Sequence, residues 1–293
     1  GQKRRVQPQR PAGESADAPR PVEALLPGGE LVMTDTAHCF GVDKVYPLTA
    51  RHGDDRLGDL LGLPTETAAA FCQDERLAEL DFRDFVFLDT ETTGLAGAGT
   101  LAFMVGAAFF ERTQSGDEVL VARQYFLRDH GDEPGLLDLL DELLAEKQGL
   151  VTFNGRSFDL PLLDGRYVMN RRVSDLLERP HIDLLPPARR LWRARLGSCA
   201  LSALEPNLLG VHRTEEDVPG WLIPSLYHNY LRSGDAGELL RVFYHNRLDL
   251  LSMVTLAART VRHFARQESE APALDLVSLG RWQMALGREA EAE

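Results

Sequence analysis

The stretch "FVFLDTETTG", residues 85–94, runs from four bulky strand formers into two carboxylates separated by a single residue. Phe85, Val86, Phe87 and Leu88 read as a buried strand. Side chains at i and i+2 of a strand share a face, so Asp89 and Glu91 project together from its end. Two carboxylates side by side repel. Hard divalent cations relieve that repulsion, because Mg²⁺ and Mn²⁺ prefer oxygen ligands and use a few carboxylates together with substrate phosphate. Thr92, Thr93 and Gly94 follow, two small hydroxyls and a glycine that lets a substrate backbone come close, and Thr92 is a candidate substrate contact. A solitary Asp-x-Glu would be an ordinary solvated strand end. What lies further along the chain changes that weighting.

Two more strands follow, "LAFMVGAAFF" (101–110) and "EVLVARQYFL" (118–127), with "QSGDE" (114–118) as their hairpin. The period then changes. "EPGLLDLLDELLAEK" (133–147) has helical spacing with proline near its start, "GLVTFN" (149–154) is a short buried strand, "SFDLPLLDGRYVMN" (157–170) is helical and "HIDLL" (181–185) is strand-like. Three neighbouring strands followed by alternating helices and strands predict an α/β fold with a mixed sheet flanked by helices. The last third reads as helical, in "LSALEPNLL" (201–209), "IPSLYHNYLRS" (223–233) and a long segment over 235–267. Residues 21–81 show turn-rich pieces, "LPGGEL" and "HGDDRLGDLLGLP", and no sustained period. The expected organisation is a disordered basic tail over 1–20, a small N-terminal subdomain over 21–81, the main domain over 82–265 and a helical tail over 266–293. That tail resembles the first helix of a tetratricopeptide-like repeat. One helix cannot bury its own apolar face, so the expectation is a piece of a longer protein and a protein partner for this helix.

The chain has 293 residues, 44% of them hydrophobic, which suits one large domain or two small ones. Its longest apolar run, 101–110, is too short to cross a bilayer, and no apolar signal core follows the basic start, so no membrane association and a cytoplasmic location are expected. Cys39, Cys72 and Cys199 lie far apart without a CxxC pair, which indicates neither a disulfide framework nor a zinc cluster. The net charge of −13 argues against a protein that coats nucleic acid nonspecifically, and leaves a nuclease open. Charge is uneven: the first twenty residues carry +3 and the remainder −16.

Further acids join the first pair. Asp159, in "TFNGRSFDLPLL" (152–163), follows a strand and enters the first turn of a helix that Ser157 could cap, a place the helix dipole favours for any carboxylate. Asp249, in "YHNRLDLLSM" (244–253), sits in an apolar helical stripe, where an unpaired carboxylate is expensive and a metal or another cation must be near. Asp183 in "HIDLL" suits a helix cap or a supporting role. Between 186 and 213 stand Arg189, Arg190, Arg193, Arg195 and Arg213 against the single acid Glu205, with Trp192 among them. Arginine with an interleaved aromatic suits a single strand, whose phosphates need charge and whose bases need a stacking plane. A helix with one solvated arginine face and Trp192 in the core explains the same pattern.

"FLDTETTG", "TFNGRSFDLPLL" and "HNRLDLLSM" resemble, in this order, the three motifs of the DEDD 3′–5′ exonucleases of the ribonuclease H-like superfamily. "LAGAGT", "HIDLL", "SCALSALE" and "DVPGWLIPSLYHNYL" resemble its bacterial YprB-like branch, a match spanning roughly residues 25–265. The resemblance implies a ribonuclease H-like mixed sheet and metal binding by Asp89, Glu91, Asp159 and Asp249. It also implies hydrolysis of DNA or RNA phosphodiesters with two Mg²⁺ or Mn²⁺ ions about 3.5–4 Å apart, on single-stranded or frayed nucleic acid. Asn154 and Arg156 are candidates to hold the scissile nucleotide, although "NG" is equally a turn signal. Arg189, Arg190 and Arg193 are the candidates for substrate phosphates. The known patterns H-x4-D and Y-x3-D are crossed here, with Tyr244 five and His245 four residues before Asp249. A four-residue step returns to the same helical face, so His245 is the expected base. A structure-selective endonuclease, or an inactive nucleic-acid-binding scaffold, would be the rival readings.

Overall fold

A computed structural model describes residues 19–94, 99–266, 271–288 and 290. The strands in chain order are β1 (Glu30–Met33), β2 (His38–Pro47), β3 (Arg51–His52), β4 (Asp55–Arg56), β5 (Phe85–Thr92), β6 (Ala102–Arg112), β7 (Glu118–Phe126), β8 (Gly149–Thr152) and β9 (His181–Asp183). Seven form one mixed sheet in the order β1-β2-β7-β6-β5-β8-β9, while β3 and β4 pair separately. β5 runs antiparallel to β6 and parallel to β8. The helices are α1 (Val22–Leu25), α2 (Thr65–Cys72), α3 (Glu133–Ala145), α4 (Asp159–Met169), α5 (Leu185–Leu196), α6 (Leu201–Leu204), α7 (Ile223–Ser233), α8 (Leu239–Phe264) and α9 (Ala273–Ala285). The expected mixed sheet flanked by helices is observed.

Period-two alternation along β5 divides the core. Val86 and Leu88 join a cluster with residues of α3, α4 and α7, whereas Phe85 and Phe87 join one with residues of α2, α5, α8 and α9. Both faces are covered, which is why the strand reads as a continuous apolar run.

Part of the segment 21–81 joins the main sheet. β1 and β2 extend the main sheet, with β2 pairing β7 over eight registered residues. Its alternation was masked because β2 is mostly exposed or half-buried and carries Asp43 and Lys44 at its centre. The C-terminal α9 also packs back: Asp275 is buried against Arg195 at 2.8 Å, and the Trp282 ring meets Phe264 and Phe71. Leu274, Leu276, Val277 and Met284 remain exposed on α9. Of the basic start, residues 1–18 lie outside the described residues, and Arg20 pairs with Asp235 at 3.0 Å. Cys39 and Cys199 are buried, as expected of small apolar side chains, and Cys72 is half-buried.

Glycine at one sheet position brings α8 onto the sheet. Asp89, Gly106 and Gln124 are registered partners across β5, β6 and β7. Asn246 of α8 lies over this row, donating to Asp89 at 2.8 Å and accepting from Gln124 at 2.9 Å. A Cβ at Gly106 would stand 2.2 Å from the Asn246 oxygen. Gly106→Ala should therefore cost about 1–3 kcal/mol, the usual penalty of overpacking, measured as a lower urea midpoint with an unchanged slope; an unchanged midpoint would show that Asn246 moves freely.

Candidate active site

The end of β5 presents consecutive side chains to different helices. Asp89 faces α8 through Asn246, whereas Thr90 faces α4, its backbone N–H and hydroxyl donating to one Asp159 oxygen at 3.1 and 2.5 Å. The pairing with β6 shifts register between Glu91 and Thr92, a bulge of the kind that re-aims side chains. Thr92 spends its hydroxyl on the Gly94 carbonyl at 2.7 Å. Ser157 does not cap α4: Phe158 stands at the N-cap with no side-chain bond, and Asp159 is held by Thr90 instead.

The four acids feel one another. Burial pushes the Asp89 carboxyl well above its usual range, and the charges of Asp249, Glu91 and Asp159 add to that. Burial likewise raises Glu91, with Asp249 and Asp159 adding. Asp159 is pushed up to about 6 by burial, against the lowering effect of its Thr90 bonds. Asp249 is raised by burial and restrained by His245 and Arg213. Among the described residues no group of three or more His, Cys, Asp and Glu side chains is preassembled around a metal position. The reason is visible in the bonds: Asp89 is turned to Asn246, Asp159 to Thr90 and Asp249 to Arg213. The donor set itself, buried carboxylate oxygens in mutual repulsion, fits hard divalent cations.

Arg213 is the cation that the apolar setting of Asp249 demands. Its guanidinium grips Glu205 at two points, 2.6 and 2.7 Å, and donates to Asp249. Glu205 is fully buried, accepting also from Ser252 at 2.7 Å, whose hydroxyl in turn lies 2.8 Å from His52. Burial pulls His52 down to about 4, so it is neutral near pH 7 and donates through Nε2. Burial opposes the charge of Arg213, but Glu205 and Asp249 outweigh it and raise the guanidinium further.

α8 is continuous through the site, so His245 and Asp249 share a face, with Nε2 3.6 Å from the Asp249 carboxylate. His245 Nδ1 lies 2.7 Å from Asp217 and 3.0 Å from Arg213. One ring nitrogen cannot donate and accept at once. The Asp217 carboxylate can only accept, so Nδ1 donates to it, and Nε2 faces the Asp249 carboxylate. Tyr244 points elsewhere, to the Thr214 hydroxyl at 3.1 Å, with Arg247 over its ring.

A cavity of about 790 Å³ opens beside this cluster, its wall including Asn154, Arg189, Arg193, Arg213, His245 and Asp249. Arg189 and Arg193 are one helical turn apart on α5, a helix whose start is set by Pro186 and Pro187. The rest of the arginine stretch does other work. Arg190 lies over the Trp282 ring at 5.6 Å, Arg195 pairs with Asp275, and Trp192 is buried next to His263 rather than offered for stacking. Asn154 adopts the left-handed conformation at φ 67° and also lines the cavity, so both readings of it hold geometrically. Arg156 is exposed and is not part of the cavity wall. Asp183 fastens the turn, accepting from the backbone N–H groups of Asn154 at 2.7 Å, Arg156 at 3.2 Å and Leu185 at 3.1 Å. Sequence reasoning missed Glu205, Asp217 and Asn246 and the pairing role of Arg213. The buried "LEP" context of Glu205 is the signal that could have exposed it, since a lone acid in an apolar run needs a partner.

A family model described as the RNase_H superfamily matches residues 86–261, and the chain belongs to that superfamily. The protein called "Uncharacterized protein YprB" of Bacillus subtilis (strain 168) is 33% identical over 258 residues, 85% of this chain, and the chain spans 59% of the length of that relative. Among solved structures, the family B DNA polymerase from the hyperthermophilic archaeon Pyrobaculum calidifontis matches with a TM-score of 0.45 and 16% identity, over 71% of this chain and 29% of the polymerase. Residues 95–98 of "LAGAGT" lie outside the described residues.

The raised acids have a consequence for stability. A carboxyl whose folded pKa is raised favours folding while protonated, and that contribution is lost as pH rises through the folded value. In EDTA at pH 8, Asp89→Asn should therefore melt about 2–4 °C above the parent, equivalent to about 1 kcal/mol, and the gap should close as pH falls. Asp249→Asn should show no gain, since it strips Arg213 of a partner. Equal behaviour of the two variants in thermal melts would contradict this charge distribution.

Proposed function

We propose that the chain is a DEDD-type 3′–5′ exonuclease that hydrolyses phosphodiesters of single-stranded or frayed DNA or RNA with two Mg²⁺ or Mn²⁺ ions. The observation that carries this reading is the convergence of Asp89 and Glu91 from β5, Asp159 from α4 and Asp249 from α8, each raising the charge cost of another, beside a cavity that holds His245 and three arginines. Asp89, Glu91, Asp159 and Asp249 would hold the ions, which when bound neutralise developing charge on the phosphoryl group and activate water.

The chain's own groups supply the rest. His245 takes a proton at Nε2, its tautomer set by Asp217, and the proton can be shared toward Asp249 at 3.6 Å. Arg213 keeps its grip on Glu205 and can exchange its contacts to Asp249, Asp217 and His245 for phosphate. Arg189 and Arg193 attract the phosphates of an entering strand, with Asn154 at the inner wall and Arg156 outside it. Thr92 lies at the bulge and Arg190 on the far side of α5, each further from that path by its bonding. The apolar residues left exposed on α9 support a protein contact through that helix.

Oligonucleotides labelled at the 3′ or the 5′ end should lose mononucleotides from the 3′ end with Mg²⁺ or Mn²⁺ and stay intact in EDTA, while circular single strands survive. His245→Ala should lose about 10²–10⁴-fold in turnover, the usual worth of a positioned general base, and Tyr244→Phe little. Cleavage of the circle would support an endonuclease instead, and no hydrolysis of any substrate would support a binding module.

A further inference from the structure

Beyond the acids, a tryptophan next to the cavity wall offers a large aromatic surface to solvent. Trp221 is 80% exposed, whereas Trp192 and Trp282 are 1% and 5% exposed. These are the three tryptophans of the chain. An indole can bury 150–250 Å² or so, so leaving it in water forgoes a large stabilisation, and among the described residues it has no packing role.

The ring is presented from an anchored turn. Gly220–Leu222 forms a single 3₁₀ turn, closed by the Leu222 N–H donating to the Pro219 carbonyl at 2.8 Å. Val218 before it and Ile223 after it are both buried. Val218, Pro219 and Gly220 belong to the wall of the same cavity that carries Arg189, Arg193, His245 and Asp249. Trp221 thus directly follows three residues of the cavity wall, and its ring is open to solvent.

We propose that Trp221 is a base-stacking residue that receives an unpaired base of a single-stranded DNA or RNA at the outer edge of this cavity. The proposal rests on the nuclease reading above and names how its substrate is gripped. Arginine supplies charge for phosphates, and an indole supplies a face for any base, which makes the contact tolerant of sequence. Glu215 and Glu216 are exposed in the adjoining segment and repel phosphate, so contact at this edge is made through the base. Bases in an intact duplex are already stacked on one another, so the same ring selects unpaired strands.

The two buried indoles make intrinsic fluorescence a selective probe of Trp221. The test uses the Asp89→Asn chain in Mg²⁺, titrated with a dye-labelled thymidine ten-mer, read by dye anisotropy and by tryptophan emission. Binding should quench the emission, and Trp221→Ala should remove the quench and weaken affinity on the order of 10-fold without changing the salt slope. Trp221→Phe should restore most of the affinity. Arg189→Gln with Arg193→Gln should instead flatten the salt slope by about one unit per lost contact while the quench persists at saturation. Binding with no quench and with affinity unchanged in Trp221→Ala overturns the stacking proposal and leaves the nuclease reading standing. Absence of any binding by anisotropy overturns both.

Discussion

Four carboxylates held within reach of one another inside a protein are the constraint around which this structure is built. Each is pushed toward its neutral form by burial, and Asp89, Glu91 and Asp249 also repel one another. Such a cluster is unfavourable for the fold alone, so something must hold it in place and something must later balance its charge. The scaffold does the first. A fully buried Asn246, fixed by Gln124 and admitted by the bare backbone of Gly106, ties Asp89 to α8. Thr90 ties Asp159 to β5 from the opposite face, because successive residues of a strand point opposite ways. α8 and α4 are thereby fixed to one strand end by hydrogen bonds made directly to the acids.

Arg213 balances part of the charge in the absence of other cations. Its two-point grip on Glu205 is buried, so it is a fixed feature, and its contact with Asp249 is the extra one. Neutralising one acid of four leaves the Asp89–Glu91 side still in need of positive charge. Arg189 and Arg193 of α5 share the cavity wall with Asp249, Arg213 and His245. Of the charged side chains on that wall, Asp217 and Asp249 are acidic and Arg189, Arg193 and Arg213 are basic.

Much of this was legible in residue order. The β5 run, its neighbours and the helix–strand alternation have strong periods, and the pairs Asp89–Glu91 and His245–Asp249 follow from the geometry of a strand and a helix. β1 and β2 were not legible, because an edge hairpin with a half-exposed face carries Asp43 and Lys44 where an apolar pattern would be expected. The arginine stretch was only half legible: helical phase separates Arg189 and Arg193 from Arg190, but the partner that claims Arg190 and Arg195 is α9, some eighty residues away. Asn246 owes its role to Asp89, 157 residues away, whereas Glu205 and Asp217 lie eight and four residues from Arg213, where the spacing reads equally as a solvated charge pattern.

The central claim is that the four acids form one cation site, and Mn²⁺ binding followed by electron paramagnetic resonance tests it most directly. With a nucleoside monophosphate present at pH 8, the parent should take up two Mn²⁺ per chain, and the Asp89→Asn, Asp249→Asn double variant should take up fewer. Equal uptake by the two proteins, or none by the parent, would contradict the account.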